Sequence, residues 1–253
     1  MGVSIRTLEF YEDRLGQFTD SQPTYWKASP QQVEKHLNAI PPNKNGLSTR
    51  HASYRTIKTF FRWLSAVHGL PNPIVNIAAP TLTKLILPTL TREQVEYLIQ
   101  TAGSVRDKAI IALFVESGLR VSELVNIKAT DIDWDAHTIR VMGKGRKEAL
   151  APFGGLSAQY LKEWLAENQP DGSIWGLNMW GIETMLKRLQ KKTGIKCNPH
   201  TFRRTFAVLL RKAGIDSMTI RDLGRWESVQ MVERYTRSFD FKDAMKFYRP
   251  PLS

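Results

Sequence analysis

Four prolines, Pro71, Pro73, Pro80 and Pro88, fall between Gly69 and Pro88, where the spacing of apolar residues loses any regular period. Proline removes a backbone donor and clashes with the preceding turn, so this stretch cannot hold a regular helix. It divides the chain into two separately folding parts, read as a domain over residues 1–70, a linker over 71–88 and a second domain over 89–253. Before the break, Leu8, Tyr11, Leu15 and Phe18 recur at intervals of three and four, as do Val33, Leu37 and Ile40, and then Tyr54, Ile57, Phe61 and Leu64. Each set lines one face of a helix, and together they describe a small helical bundle.

After the break, Thr91 with Gln94 three positions on has the form of a capping box ahead of Val95, Leu98 and Ile99. An apolar helical run from Ala109 to Val115 ends at Ser117-Gly118-Leu119-Arg120, where Gly118 permits a sharp change of direction. Residues 131–134 and 138–142 read as short strands, followed by Gly143-Lys144-Gly145 as a hairpin tip and a third strand through Ala149 and Leu150. Helical spacing then returns through Leu161, Leu186 and Leu209. The fold class is mainly α with a small antiparallel β-sheet.

The charge is the first pointer to a partner. Lys and Arg outnumber Asp and Glu by 36 to 24, a net charge of +12. Up to residue 85 there are 10 basic and 5 acidic residues, and after it 26 and 19, so both parts are basic. A polyanion gripped by both domains, as by a clamp, is the expected partner. Cys197 is the single cysteine, which excludes an intramolecular disulfide and a zinc site built on several thiolates. It reads as a small buried residue. No apolar run is long enough to span a membrane, and the first residues lack the apolar core of a secretory signal. No membrane partner and a cytoplasmic location, in company with the polyanion, are expected.

Four short segments offer groups suited to a phosphodiester: Arg120, Lys144, the His200–Arg203 pair and Tyr235. On a helix starting near Pro199, His200 and Arg203 at i and i+3 share a face, and the helix N-terminus adds an attraction for anions. Taken singly each has a bland reading as a surface, turn or capping residue; the combination is what carries information. Ser117-Gly118-Leu119-Arg120-Val121-Ser122-Glu123-Leu124, Val141-Met142-Gly143-Lys144-Gly145-Arg146-Lys147, His200-x-x-Arg203 and Leu223-Gly224-Arg225-Trp226 through Tyr235 resemble, in order, the four boxes of the tyrosine recombinase (phage integrase) family. Trp226 stands nine before Tyr235, where many members of the family carry histidine and a minority tryptophan. The N-terminal part resembles the family's helical core-binding domain in general pattern.

The resemblance implies two domains, a helical SAM-like N-terminal bundle and a tyrosine-recombinase catalytic domain. It implies a site-specific DNA recombinase or integrase that cuts and rejoins double-stranded DNA through a 3′-phosphotyrosyl intermediate, acting as a homotetramer on two DNA partners. Tyr235 would be the nucleophile. Arg120 and Arg203 would clamp the phosphate with planar forks that lysine cannot offer. Lys144 would be the general acid to the 5′ oxygen, with Lys147 as the alternative, and His200 an acid or base. Trp226 would donate its indole N–H to a phosphate oxygen or pack as an aromatic, the two being compatible. Glu123 would orient Arg120 or the imidazole, and Arg204 would face solvent or the DNA backbone. Because the phosphotyrosyl bond conserves the energy of the broken linkage, no cofactor, nucleotide or metal is required, and neither a phosphate-binding Gly-rich loop nor a magnesium-holding acidic cluster is found. Tyr248 is a poor rival nucleophile, lacking the preceding helix. A type IB topoisomerase and a DNA-binding regulator without catalysis are the competing functions; the small N-terminal domain argues against the first and the full set of reactive residues against the second. Phe241, Met245 and Phe247 form an apolar set that could dock on a neighbouring subunit or cover the chain's own core.

Overall fold

The computed structural model describes residues 5–41, 46–81, 86–143, 147–168 and 170–250. The chain divides into two compact units, residues 1–85 and 86–253.

In the first unit, α1 (Ile5–Ser21), α2 (Pro30–Ala39) and α3 (Gly46–His68) pack around Phe18, Val33, Leu37, Tyr54, Ile57, Phe61 and Leu64. The start of α2 follows from its sequence: Ser29 and Gln32 form a reciprocal capping box, and Pro30 takes the first-turn position where a missing N–H costs nothing. The apolar stripe of α1 is buried only at its C-terminal end, with Phe18 fully enclosed while Leu8 is exposed. The proline-rich stretch is not wholly detached from this core. Ile74 is fully buried in it, and the Tyr54 hydroxyl donates to the Ile77 carbonyl at 2.9 Å.

The second unit begins with α4 (Arg92–Thr101), whose Thr91–Gln94 capping box forms as the sequence suggests. Then follow α5 (Val105–Ser117), the single turn α6 (Val121–Leu124), strands β1 (Ile132–Asp133), β2 (Thr138–Met142) and β3 (Glu148–Pro152), and helices α7 (Gly155–Glu167), α8 (Met179–Thr193), α9 (Pro199–Lys212), α10 (Ser217–Gly224), α11 (Val229–Tyr235) and α12 (Phe241–Met245). The strands form one antiparallel sheet in the order β1-β2-β3, with Ile139 opposite Ala151 and Met142 opposite Glu148.

Helix α5 is the spine of this unit. Six consecutive residues, Ala109 to Phe114, are buried, which is the pattern of a helix covered on all sides. It packs against α7 on one side and α9 on the other, where the Phe114 and Phe202 rings stack at 5.7 Å. The Glu116 carboxylate accepts the backbone N–H groups of Gly154 at 3.0 Å and Ser157 at 2.9 Å, so α5 caps the start of α7, whose own N-cap, Gly154, has no side chain to do so. Phe241, Met245 and Phe247 stay substantially exposed. Their segment leans on the end of α9 through the Arg211 guanidinium 4.9 Å from the Phe239 ring and a Lys212–Asp243 pair at 3.9 Å.

Candidate active site

The ends of two helices organise the site. Helix α5 stops at Gly118, which adopts φ 58°, and a Cβ there would also collide with the Phe206 ring; glycine satisfies both demands at once. The chain turns sharply and delivers Arg120 as the N-cap of α6. Helix α10 stops at Gly224, whose missing Cβ makes room for the Trp226 ring, and Arg225 follows in the left-handed region at φ 57° and ψ 42°.

Carbonyls at helix C-termini lack intrahelical donors and carry the negative end of the helix dipole. Here three guanidinium groups fill that need. Arg203, from the buried face of α9, donates Nη2 to the Gly224 carbonyl at 2.6 Å and Nη1 to the Gly118 carbonyl. Arg225 donates to the Leu223 carbonyl at 2.8 Å and to the Ser117 carbonyl at 3.4 Å. Arg120 donates to the Arg225 carbonyl at 3.3 Å.

Glu123 is the carboxylate among them and is buried. Its Oε1 accepts from Arg120 Nη1 at 2.5 Å, and its Oε2 accepts the Arg120 backbone N–H at 2.9 Å and Arg225 Nη2 at 3.3 Å. Burial alone would raise its pKa, but the backbone N–H of Arg120 and the two guanidinium groups outweigh burial and hold it below the usual carboxylate range. One negative charge against three positive ones leaves the cluster short of anions. Burial pushes the Arg203 guanidinium down to about 9, and the neighbouring Arg120 and Arg225 charges push the same way. An incoming phosphate would relieve that strain.

Arg120, Arg203 and His200 line one cleft of ≈ 550 Å³ together with Ser122, Glu183 and Lys187. His200 and Arg203 share a face of α9 as their spacing requires, the imidazole exposed and the guanidinium buried. The helix end itself offers less than its sequence suggests: Asn198 occupies the Thr201 N–H at 3.0 Å and Pro199 has none. Attraction for an anion there falls mainly to side chains.

Trp226 is buried, with its ring centroid 4.5 Å from the Arg203 guanidinium and 5.6 Å from the Tyr235 ring in an edge-on contact. Its indole N–H has no protein acceptor, which is costly for a buried donor unless a ligand completes it. Tyr235 is the last residue of α11, half-buried, and interacts electrostatically with Arg203 and Arg204. Arg204 donates to the Pro88 carbonyl at 3.0 Å. Cys197 is buried in the lining of the cleft, its thiol pushed up to about 11 by desolvation, so it is held as the unreactive thiol. Lys144 lies outside the described residues. Lys147 is exposed, and its carbonyl closes the β2–β3 hairpin by accepting the Gly143 N–H at 2.8 Å.

The structure thus joins Arg120, His200 and Arg203 in one cleft and sets Glu123 against Arg120, while Tyr235 reaches Arg203 by way of Trp226 and neither aromatic residue lines that cleft. Arg225 escaped attention in the sequence, although it stands inside the quoted Leu-Gly-Arg-Trp segment; its signal is that glycine or asparagine is the usual residue just past a helix end. Glu183 and Lys187 of α8 also face the cleft, and nothing in their local sequence marks them.

A profile of the phage integrase family matches residues 88–241. The tyrosine recombinase XerC of Staphylococcus epidermidis is 31% identical over 257 residues, spanning 91% of this chain and 86% of its own. XerC of Staphylococcus aureus strain MSSA476 is 29% identical over 256 residues, spanning 92% and 86%. Among solved structures, a lambda integrase dimer bound to a COC′ core site has a TM-score of 0.78 at 18% identity, covering 93% of this chain and 89% of that one. The Tn1549 transposon integrase in complex with circular intermediate DNA has the same TM-score at 16% identity, covering 98% and 95%. With more than half its length matched by the profile and a XerC relative above 30% identity, the chain belongs to the phage integrase family of tyrosine recombinases.

Proposed function

We propose that this protein is a site-specific DNA recombinase that cuts and rejoins one strand per active site through Tyr235. The observation that carries the reading is the Trp226 ring set between Arg203 and Tyr235, with its buried N–H unpaired. A tetrahedral phosphate placed there meets Arg120, Arg203 and the indole on its nonbridging oxygens. Its phosphorus then faces the phenol.

Attack by the Tyr235 oxygen forms the phosphotyrosyl bond as the bond to the 5′ oxygen breaks, and that oxygen leaves with a proton. Lys144, in the connection between β2 and β3, supplies this proton, and His200 at the cleft mouth handles the phenol's proton. Glu123 holds the Arg120 fork in place. A 5′ hydroxyl attacking the phosphotyrosyl bond reverses the sequence and releases the enzyme, so the linkage energy is never lost to water. The basic charge of both units supports double-stranded DNA as the partner of both, the unit ending near residue 85 serving as the helical DNA-binding domain and the remainder as the catalytic domain. Exchange between two DNA partners uses four copies, and the XerC relatives and the DNA-bound integrases of the same fold support the assignment.

The test is covalent capture. The protein is incubated with a pool of random-sequence duplexes, each nicked near its centre so that the short product diffuses away, and DNA retained after detergent denaturation is sequenced. Retained, protease-sensitive DNA sharing a common motif is expected from wild type and none from Tyr235→Phe. No retained DNA from wild type, or equal retention by the variant, refutes the proposal.

A further inference from the structure

We propose that Arg225 is a positioning residue that fixes the Arg120–Glu123 pair for phosphate binding, a role that rests on the recombinase reading above. Its backbone sits at φ 57°, a region that a side chain with a Cβ enters only at a cost and that glycine or asparagine enters readily. An arginine kept there must return something through its side chain. That side chain is only 10% exposed and turns inward onto Glu123.

Its donors reach the Leu223 and Ser117 carbonyls and the Glu123 carboxylate, tying the end of α10 to the end of α5. The same residue acts on Arg120 along two routes. Its carbonyl accepts Arg120 Nη2 at 3.3 Å, and its guanidinium holds the Glu123 oxygen that also accepts the Arg120 backbone N–H. Arg120 thus loses rotational freedom before substrate arrives, and its remaining donors are left for the phosphate. Arg225 therefore acts through Glu123 and Arg120, the two groups it holds.

A second consequence is electrostatic. Glu123 is faced by Arg120 from its own turn, Arg225 from the end of α10 and Arg203 from α9. Asp131, Arg140 and Glu148 share the adjoining cleft from the sheet side, where Arg140 is within 3.6 Å of Asp131. Arg225 is the largest charge–charge contribution keeping Glu123 ionised against its burial. Without it, burial is opposed by Arg120 alone, so Glu123 takes up a proton at higher pH and its hold on Arg120 weakens.

The experiment measures single-turnover cleavage of a nicked duplex recovered by the capture described above, across pH, for wild type, Arg225→Gly and Arg225→Lys. Cleavage by wild type is established first; its absence would overturn the recombinase reading and this role with it. Given that cleavage, Arg225→Gly is expected to fold and bind the duplex with unchanged affinity. It should cleave about tenfold to a hundredfold more slowly, as when a supporting partner of a reacting group is lost, and the acid limb of its rate profile should move to higher pH. Arg225→Lys restores a charge beside Glu123 but not the fork, so it should return the acid limb and part of the rate. If Arg225→Gly does not fold, Arg225→Asn, also at ease in this backbone region, takes its place with the same expectations. Wild-type rate with an unmoved acid limb, or a loss that lies wholly in duplex affinity, would overturn the role while leaving the recombinase assignment standing.

Discussion

Replacing Glu123 by glutamine removes one charge and leaves the shape of the site almost intact. Its carboxylate meets Arg225, 10% exposed, and Arg120, 35% exposed, while itself being 2% exposed. Removing one partner of a buried pair costs about 3–5 kcal/mol because the other charge is left uncompensated. The Arg120 half of the interaction is partly screened by water and contributes less, and glutamine keeps one oxygen for the Arg120 N–H, so a loss of about 2–3 kcal/mol is expected at neutral pH. With a urea dependence of about 2 kcal/mol per molar for a unit of this size, the midpoint should fall by roughly 1–1.5 M. The transition of the second unit should move and that of the first should not. Because the folded-state pKa of Glu123 is depressed, its contribution is fully present above the ordinary value of 4.5 and is lost as pH falls through the folded value. The difference between wild type and variant should therefore close below about pH 4.5. Equal urea midpoints at pH 7, or a difference that persists unchanged in acid, would refute the placing of a charged Glu123 at the centre of the arginine cluster.

Other substitutions separate packing from chemistry. Phe202→Ala empties a fully buried site stacked on Phe114 and should cost about 3–5 kcal/mol in chemical denaturation. Trp226→Phe keeps a ring between Arg203 and Tyr235 but removes the N–H, so cleavage should slow about tenfold or more with duplex affinity and melting temperature preserved; a wild-type rate would make Trp226 a packing residue only. Arg203→Lys keeps the charge and loses the fork that spans the Gly118 and Gly224 carbonyls; if that fork also clamps the phosphate as proposed, single-turnover cleavage should drop by roughly a hundredfold to a thousandfold. Gly118→Ala places a Cβ at a left-handed position against Phe206, and a loss of at least about 1–2 kcal/mol should appear as a lower urea midpoint.

Much of this architecture is legible in the sequence because its signals are local. Thr91 with Gln94, the apolar run of α5 and the alternation through β2 each specify an element from its own residues. The order of Arg120, His200, Arg203 and Tyr235 likewise survives in one dimension. What the sequence conceals is tertiary. That Arg203 is held by carbonyls from the ends of α5 and α10 depends on two turns over a hundred residues apart. Arg225 has no reading of its own in the sequence; its left-handed backbone turns the side chain inward. Leu8 has the spacing of a core position, yet it lies beyond the part of α1 that the bundle covers. The Asn198 cap takes up a donor that the Pro-His-Thr start of α9 seemed to leave for an anion. In each case helical period gives the face of a residue, and only the neighbouring element decides what meets it.

The central claim is that Tyr235 becomes bonded to DNA, and mass spectrometry of the captured adduct tests it most directly. The retained protein, digested with nuclease and then protease, should yield a peptide containing Tyr235 that carries the mass of a nucleotide, with the fragment series placing that mass on its phenol. A nucleotide on Tyr248 or any other residue, or an unmodified Tyr235 peptide in protein that retains DNA, would contradict the account.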